Sequence, residues 1–224
     1  MQRNVGLRTC FRGLLLFGCS TLFLVQAASA LAFEQVSFEA SRKYSGKTVR
    51  LKGELYRPGG TGKFPAVVLM HGCGGWQPAV HQALRKHANH LVRHGFVVLN
   101  LDSFGPRGNS GGEVCKSLIE LKLARHYRTE DASDALNFLA SRADVDAQNI
   151  FQMGQSNGGE VSLVIANSSA SSFGGTGRMF KAIVAYYPYC GVYPWIDIDL
   201  KLPLLVFGGE RDDWTPPKKC ESFK

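Results

Sequence analysis

The sequence predicts an α/β protein, a mostly parallel central sheet flanked by helices. Two observations carry that expectation. Five short, mostly continuous apolar runs, at 64–72, 96–102, 149–154, 181–188 and 202–209, have the composition of strands buried on both faces. Helical patterns stand between them. Residues 79–94 place Val80, Leu84, Ala88, Leu91 and Val92 on one side, and residues 116–141 carry Leu118, Leu121, Ala135, Leu136 and Leu139 among charges. Strands alternating with helices make a sheet whose ligands gather at the carboxyl ends of its strands.

The elements follow in chain order. Arg3, Arg8 and Arg12 give a basic start, residues 13–25 are apolar but short for a membrane span, and 27–32 supply small residues in an A-x-A pattern. This is the order of a secretory signal peptide, 1–30, cleaved after Ala30 or Ala32. The expectation is a periplasmic or secreted protein with no stable membrane anchor, whose residues 31–224 form one domain. At 224 residues the chain suits one sizeable core, and its 45% apolar and 20% charged composition excludes a disordered chain. Losing three arginines and no acids lowers the formal charge from +8 to +5. The remaining basic residues are scattered, so no nucleic-acid partner is expected.

Residues 48–56, TVRLKGELY, alternate as a strand and end at Pro58. The 116–141 segment reads as one helix or two, and 167–177, NSSASSFGGTG, as a surface loop. Cys73, Cys115, Cys190 and Cys220 remain after residue 30, an even number that favours disulfides in an exported chain and leaves three pairings open. Without a C-x-x-C pair, thiol redox chemistry is a weak reading.

The chemistry gathers at the strand ends. Gly154-Gln155-Ser156-Asn157-Gly158 is G-x-S-x-G between a predicted strand and a predicted helix. A sharp strand-to-helix turn strains the serine backbone and crowds the positions two before and two after it, hence the glycines. The turn exposes the Ser156 hydroxyl and aims the first N–H groups of the helix, beginning at Asn157, toward developing negative charge. His71-Gly72-Cys73-Gly74-Gly75 follows the strand at 64–72 and resembles the HGGG-type loop that supplies the second oxyanion donor of α/β-hydrolases, placed here at the Cys73 N–H. Asp212 and Asp213 lie just beyond the run at 202–209, where a carboxylate can orient an imidazole.

On these residues the chain resembles the dienelactone hydrolase family of α/β-hydrolases, from about Thr48 to the C-terminus, through GELYRPGGTGKFPAVVLMHGCGG, GQSNGG, YYPYCG and LLVFGGERDDWTP. The resemblance implies the α/β-hydrolase fold, a small-molecule ester or lactone substrate, and no cofactor or metal. The family's G-x-x-D-x-x-x-P segment, which carries the triad acid, matches Gly209, Asp212 and Pro216, favouring Asp212 over Asp213. The namesake enzymes use a cysteine nucleophile. Ser156 departs from that pattern and shifts the expectation toward serine esterases. Arg107, in SFGPRG, matches a loop near the family's substrate site and is a candidate for holding a substrate carboxylate, with a solvated loop arginine as the favoured reading.

The family order is serine, acid, histidine. Twelve residues follow Asp212 and none is a histidine, so the expectation is a chain that stops before the family's last strand and helix, with impaired hydrolysis. Of the earlier histidines, His71 is placed near Ser156 but reads as a brace for its own loop. His87, His90 and His94 share a helical sector about 60° wide, without a carboxylate or cysteine, and read as helix surface rather than metal ligands. His81 belongs to the same helix, and His126 to a charged helical segment. The alternative to a hydrolase is a non-catalytic binding protein on the same fold. Loops at the same sheet end favour the pairings Cys73–Cys115 and Cys190–Cys220.

Overall fold

The computed structural model describes residues 32–109, 112–169, 177–192 and 199–223. The expected signal peptide and most of the 167–177 loop lie outside these residues.

Seven strands form one sheet in the order β1-β2-β4-β3-β5-β6-β7. Its antiparallel end is built from β1 (Phe33–Glu39) and β2 (Arg50–Tyr56), which pairs in turn with β4 (Val97–Asp102). From there the sheet is parallel. β4 pairs with β3 (Phe64–Met70), β3 with β5 (Val145–Gln155), β5 with β6 (Ile183–Tyr186) and β6 with β7 (Leu204–Phe207).

The continuous apolar run of β3 follows from burial on both faces, whereas the run at 202–209 departs from that expectation, since Leu205 and Phe207 of β7 are 52% and 45% exposed. Successive side chains of a strand point to opposite faces. Val68 and Met70 of β3 join one core cluster with Ala135, Leu136 and Leu139 of α2 (Leu118–Ala140) and Val161 and Ile165 of α3 (Asn157–Ala166). Val67 and Leu69 join another with Leu84, Ala88 and Val92 of α1 (Pro78–Arg93). Pro at the start of α1 suits a position whose N–H has no intrahelical acceptor, and Gly95, with φ +86°, lets the chain leave the helix toward β4.

Two elements refine the sequence reading. The 116–141 pattern is one helix, α2, capped where the Ser117 Oγ accepts from the Glu120 N–H at 3.3 Å. β1 is a strand the apolar runs did not reveal, because Val36 is its one buried position. The structure joins Cys73 to Cys115 and Cys190 to Cys220, the pairings that the loop positions favour.

Candidate active site

Ser156 stands between β5 and α3 with φ 50° and ψ −116°, in the left-handed half of backbone space where a non-glycine residue is strained. Its N–H donates to the Tyr186 carbonyl at 2.9 Å, and its carbonyl accepts from the Glu160 N–H at 2.9 Å, so β6 and the first turn of α3 hold the strain. The glycine spacing has a direct steric cause. A Cβ on Gly154 would lie 2.0 Å from the Gly158 carbonyl oxygen, and one on Gly158 would lie 2.5 Å from that of Met70.

The oxyanion loop approaches from the other side. A Cβ on Gly72 would stand 3.3 Å from the Ser156 Cβ. The loop closes through Gly75 N–H to the Gly72 carbonyl at 3.1 Å, while the Cys73 carbonyl accepts from Gly112 at 3.4 Å. Asn157, fully buried, is the first residue of α3, so its N–H has no acceptor within the helix.

Two clefts meet at Ser156, both lined by Cys73, Trp214 and Thr215. One, of ≈ 250 Å³, runs toward Leu118, Leu121, Glu160 and Tyr189. The other, of ≈ 260 Å³, runs toward Tyr187 and Asp212. Asp212 thus lines the cleft of Ser156, whereas Asp213 is exposed and does not line it. The Asp212 carboxylate accepts from the Thr215 Oγ1 at 2.6 Å and N–H at 2.8 Å, and from the Trp214 N–H at 3.0 Å. The Thr215 bonds hold its carboxyl below the usual carboxylate range and fix its direction.

His71 is fully buried, and both of its ring nitrogens are engaged. Nδ1 meets the Gly72 carbonyl at 2.7 Å, and Nε2 accepts from the Ser103 N–H at 3.3 Å; these partners assign the proton to Nδ1. Burial, then the Arg128 charge, holds the imidazole well below its usual range, hence neutral. His71 braces the oxyanion loop and does not line the clefts. His87 packs against the Tyr186 ring, and His90 against His94.

The Arg107 candidate is corrected. Its side chain is 1% exposed, donates to both carboxylate oxygens of Asp131 (2.7 and 2.9 Å) and lies over the Tyr127 ring. It is neither a solvated loop arginine nor a residue lining either cleft beside Ser156. Burying a guanidinium demands such a partner.

Three residues of the site were not read from the sequence. Arg128 is fully buried and donates to the Asn157 Oδ1 at 2.6 Å and the His71 carbonyl at 2.5 Å, tying the elbow to the oxyanion loop. Glu160 meets the Asn157 amide and Arg125, each at 3.3 Å, and burial pushes its carboxyl up to about 7. Tyr187, with φ 38°, follows β6 and lines the cleft with Asp212. At Tyr187 no flanking glycine spacing marks the positive φ, and a charged residue in a helix reads as solvated.

Residues 51–224 match the profile of the dienelactone hydrolase family. The chain belongs to this family. Solved structures share its α/β-hydrolase fold at low identity. A dienelactone hydrolase-like promiscuous phosphotriesterase from metagenomic libraries has a TM-score of 0.62 and 20% identity, covering 86% of this chain and 75% of that one. An α/β serine hydrolase homologue from Coxiella burnetii has a TM-score of 0.58 and 16% identity, covering 85% and 80%. Esterase 2 of Thermogutta terrifontis, phosphoramylated by tabun, has a TM-score of 0.55 and 18% identity, covering 84% and 76%. No curated protein matches the sequence at a significant level. Family membership makes this a hydrolase fold with a small-molecule substrate. No helix among the described residues is long and apolar enough to cross a membrane.

Proposed function

We propose that the chain hydrolyses carboxylic ester or lactone bonds through a Ser156 acyl-enzyme. The observation that carries this reading is the strained Ser156 backbone, held between Gly154 and Gly158 in a cleft that Asp212 also lines. Strain of this kind costs about 1–3 kcal/mol and persists where function requires the geometry. Ser156 Oγ attacks the carbonyl carbon, the Cys73 and Asn157 N–H groups receive the oxyanion, and collapse expels the alcohol and leaves an acyl ester on Oγ. Water then hydrolyses that ester. Asp212 supplies the carboxylate that orients a base and stabilises it when charged.

A second reading, a binding protein on the same fold, has its own support: among the described residues lining the two clefts none is a histidine, and His71 is committed to its loop. Labelling with an alkyl fluorophosphonate separates the two. The hydrolase reading expects one adduct, on Ser156, absent from Ser156→Ala. A wild-type protein that stays unlabelled sinks it in favour of the binding protein.

The reading includes export, with cleavage near Ala30, supported by the basic, apolar and small-residue order of 1–32 and by two disulfides. N-terminal sequencing of secreted material that begins at Met1 would refute it.

A further inference from the structure

We propose that this site is built for uncharged acyl groups, seated between Leu118, Leu121 and the Cys73–Cys115 disulfide with the Glu160 carboxyl in the wall, while the alcohol portion occupies the cleft beside Asp212. The inference rests on the serine-hydrolase reading above.

The two clefts explain which half of the ester goes where. In the acylation step the Ser156 Oγ–carbon bond forms, the carbon–oxygen bond to the alcohol breaks, and the Oγ proton passes through the base to the departing oxygen. The base is oriented by Asp212, so the departing oxygen must lie on the Asp212 side of Ser156. The acyl chain then points away from it, into the ≈ 250 Å³ cleft.

The walls of that cleft decide what it accepts. Leu118, Leu121, the disulfide and the Tyr189 ring present apolar surface. Among its described lining residues none is a lysine or arginine, and its one acid is Glu160. The nearby cations are turned to other partners. Arg125 pairs with Glu160 at 3.3 Å, Arg107 with Asp131 at 2.7 Å, and Arg128 with the Asn157 Oδ1 at 2.6 Å. An acyl chain ending in a carboxylate would shed its hydration here, meet no cation to replace it, and face a second carboxyl. A neutral alkyl chain gains from the same surface by leaving water. The position that Arg107 was expected to serve therefore has no counterpart in the acyl cleft, and substrates with a negatively charged acyl group are disfavoured.

The test compares two fluorophosphonates of equal chain length, one ending in methyl and one in carboxylate, on the full chain at pH 8. In each case the Oγ–phosphorus bond forms, the phosphorus–fluorine bond breaks, and fluoride and the Oγ proton leave. Intact mass follows the rate of Ser156 modification. The alkyl probe is expected to react at least about tenfold faster, and Glu160→Gln to narrow that ratio. Leu118→Arg, at a position 81% exposed where folding is not at stake, is expected to speed the carboxylate probe selectively. Equal rates in the wild-type chain, or a faster carboxylate probe, overturn the acyl-cleft inference while leaving Ser156 as a nucleophile. Reaction with neither probe overturns the serine-hydrolase reading and this inference with it.

Discussion

Arg128 Nη1 donates to Asn157 Oδ1 at 2.6 Å, and Nη2 of the same guanidinium donates to the His71 carbonyl at 2.5 Å. One fully buried cation on α2 therefore sets the spacing between the residue after the nucleophile and the loop that carries the other oxyanion donor. Burial lowers its pKa to about 10, with Asp131 and Glu160 among the groups favouring its charge, so it stays protonated. Preorganised donors of this kind act without moving when charge develops.

Arg128→Met is expected to destabilise the protein by about 2–4 kcal/mol, because it leaves two buried acceptors unpaired and an acidic pair less compensated. Arg128→Lys should recover part of that loss only, since an ammonium cannot fork to both acceptors in one plane. Urea midpoints for the three proteins check it. A methionine variant as stable as wild type would show that the fork does not hold the site.

The elbow makes stability and chemistry oppose each other at one residue. Ser156→Gly is expected to stabilise the fold by about 1 kcal/mol, because glycine adopts φ 50° without strain, while removing fluorophosphonate labelling. A rise in Tm of about 2–4 °C is the corresponding scale for a domain of this size. Gly154→Ala should do the opposite and lower stability by about 3 kcal/mol or more, its Cβ being 2.0 Å from the Gly158 oxygen. Thermal unfolding of both variants decides the matter, and a destabilised Ser156→Gly would contradict the strain.

Much of this was legible and some was not, for identifiable reasons. β3, β4 and β5 announced themselves because strands covered on both faces carry apolar side chains at successive positions, while β7 gave the same signal with Leu205 and Phe207 exposed. β1 has one buried position and gave no such signal. Leu118 looked like a core position of a helix, yet it is 81% exposed; α2 reaches the large core cluster through its second half, and Leu121 and Ala124 of its first half pack instead against Phe104 and Val114. Ser156 and Cys73 stood out as candidates because glycines lie at fixed offsets from them, and Asp212 because Gly209 and Pro216 around it match the segment that the family resemblance implies. Arg128 and Glu160 were not, because burial of a charge depends on what folds over it. Arg107 was misplaced for the same reason: its Asp131 partner lies 24 residues away along the chain.

Glu160 gives stability a pH dependence of predictable sign. Burial raises its folded pKa from 4.5 to about 7, against the pull of Arg125 and Asn157. The folded chain then holds the proton where the unfolded chain has lost it, so its contribution is full below pH 4.5 and is lost as pH rises through about 7. Glu160→Gln should therefore gain on the wild type between those limits, by about 1–3 kcal/mol. Asp131, raised to about 6 by burial, acts in the same direction. His71, held neutral by burial, acts oppositely and loses stability as pH falls below 6.5. Both are present in wild type and variant, so the difference between the two proteins isolates Glu160. Urea unfolding at a series of pH values measures it, and a difference that stays flat removes the case for a raised carboxyl.

The last expectation concerns the proton on Ser156. A serine hydroxyl is a weak nucleophile until a base takes its proton, and the described clefts hold Asp212 to orient a base but no histidine to be one. Residues 31–224 alone should hydrolyse a neutral p-nitrophenyl ester slowly, retaining roughly 10³–10⁴ of rate enhancement from oxyanion binding and positioning. Imidazole added to the solution can enter the open cleft, accept the Oγ proton and bond to Asp212. Turnover should then rise with imidazole and saturate as the cleft fills. Imidazole also cleaves such esters unaided, so the quantity to follow is the difference between wild type and Ser156→Ala. Asp212→Asn should weaken the imidazole effect, because the amide cannot stabilise an imidazolium as a carboxylate does. A Ser156-dependent rate that is already high without imidazole, and indifferent to it, would mean that the protein supplies its base from elsewhere. In that outcome His71→Gln would be expected to lower stability rather than the proton-transfer step, since its two nitrogens are spent on the Gly72 carbonyl and the Ser103 N–H.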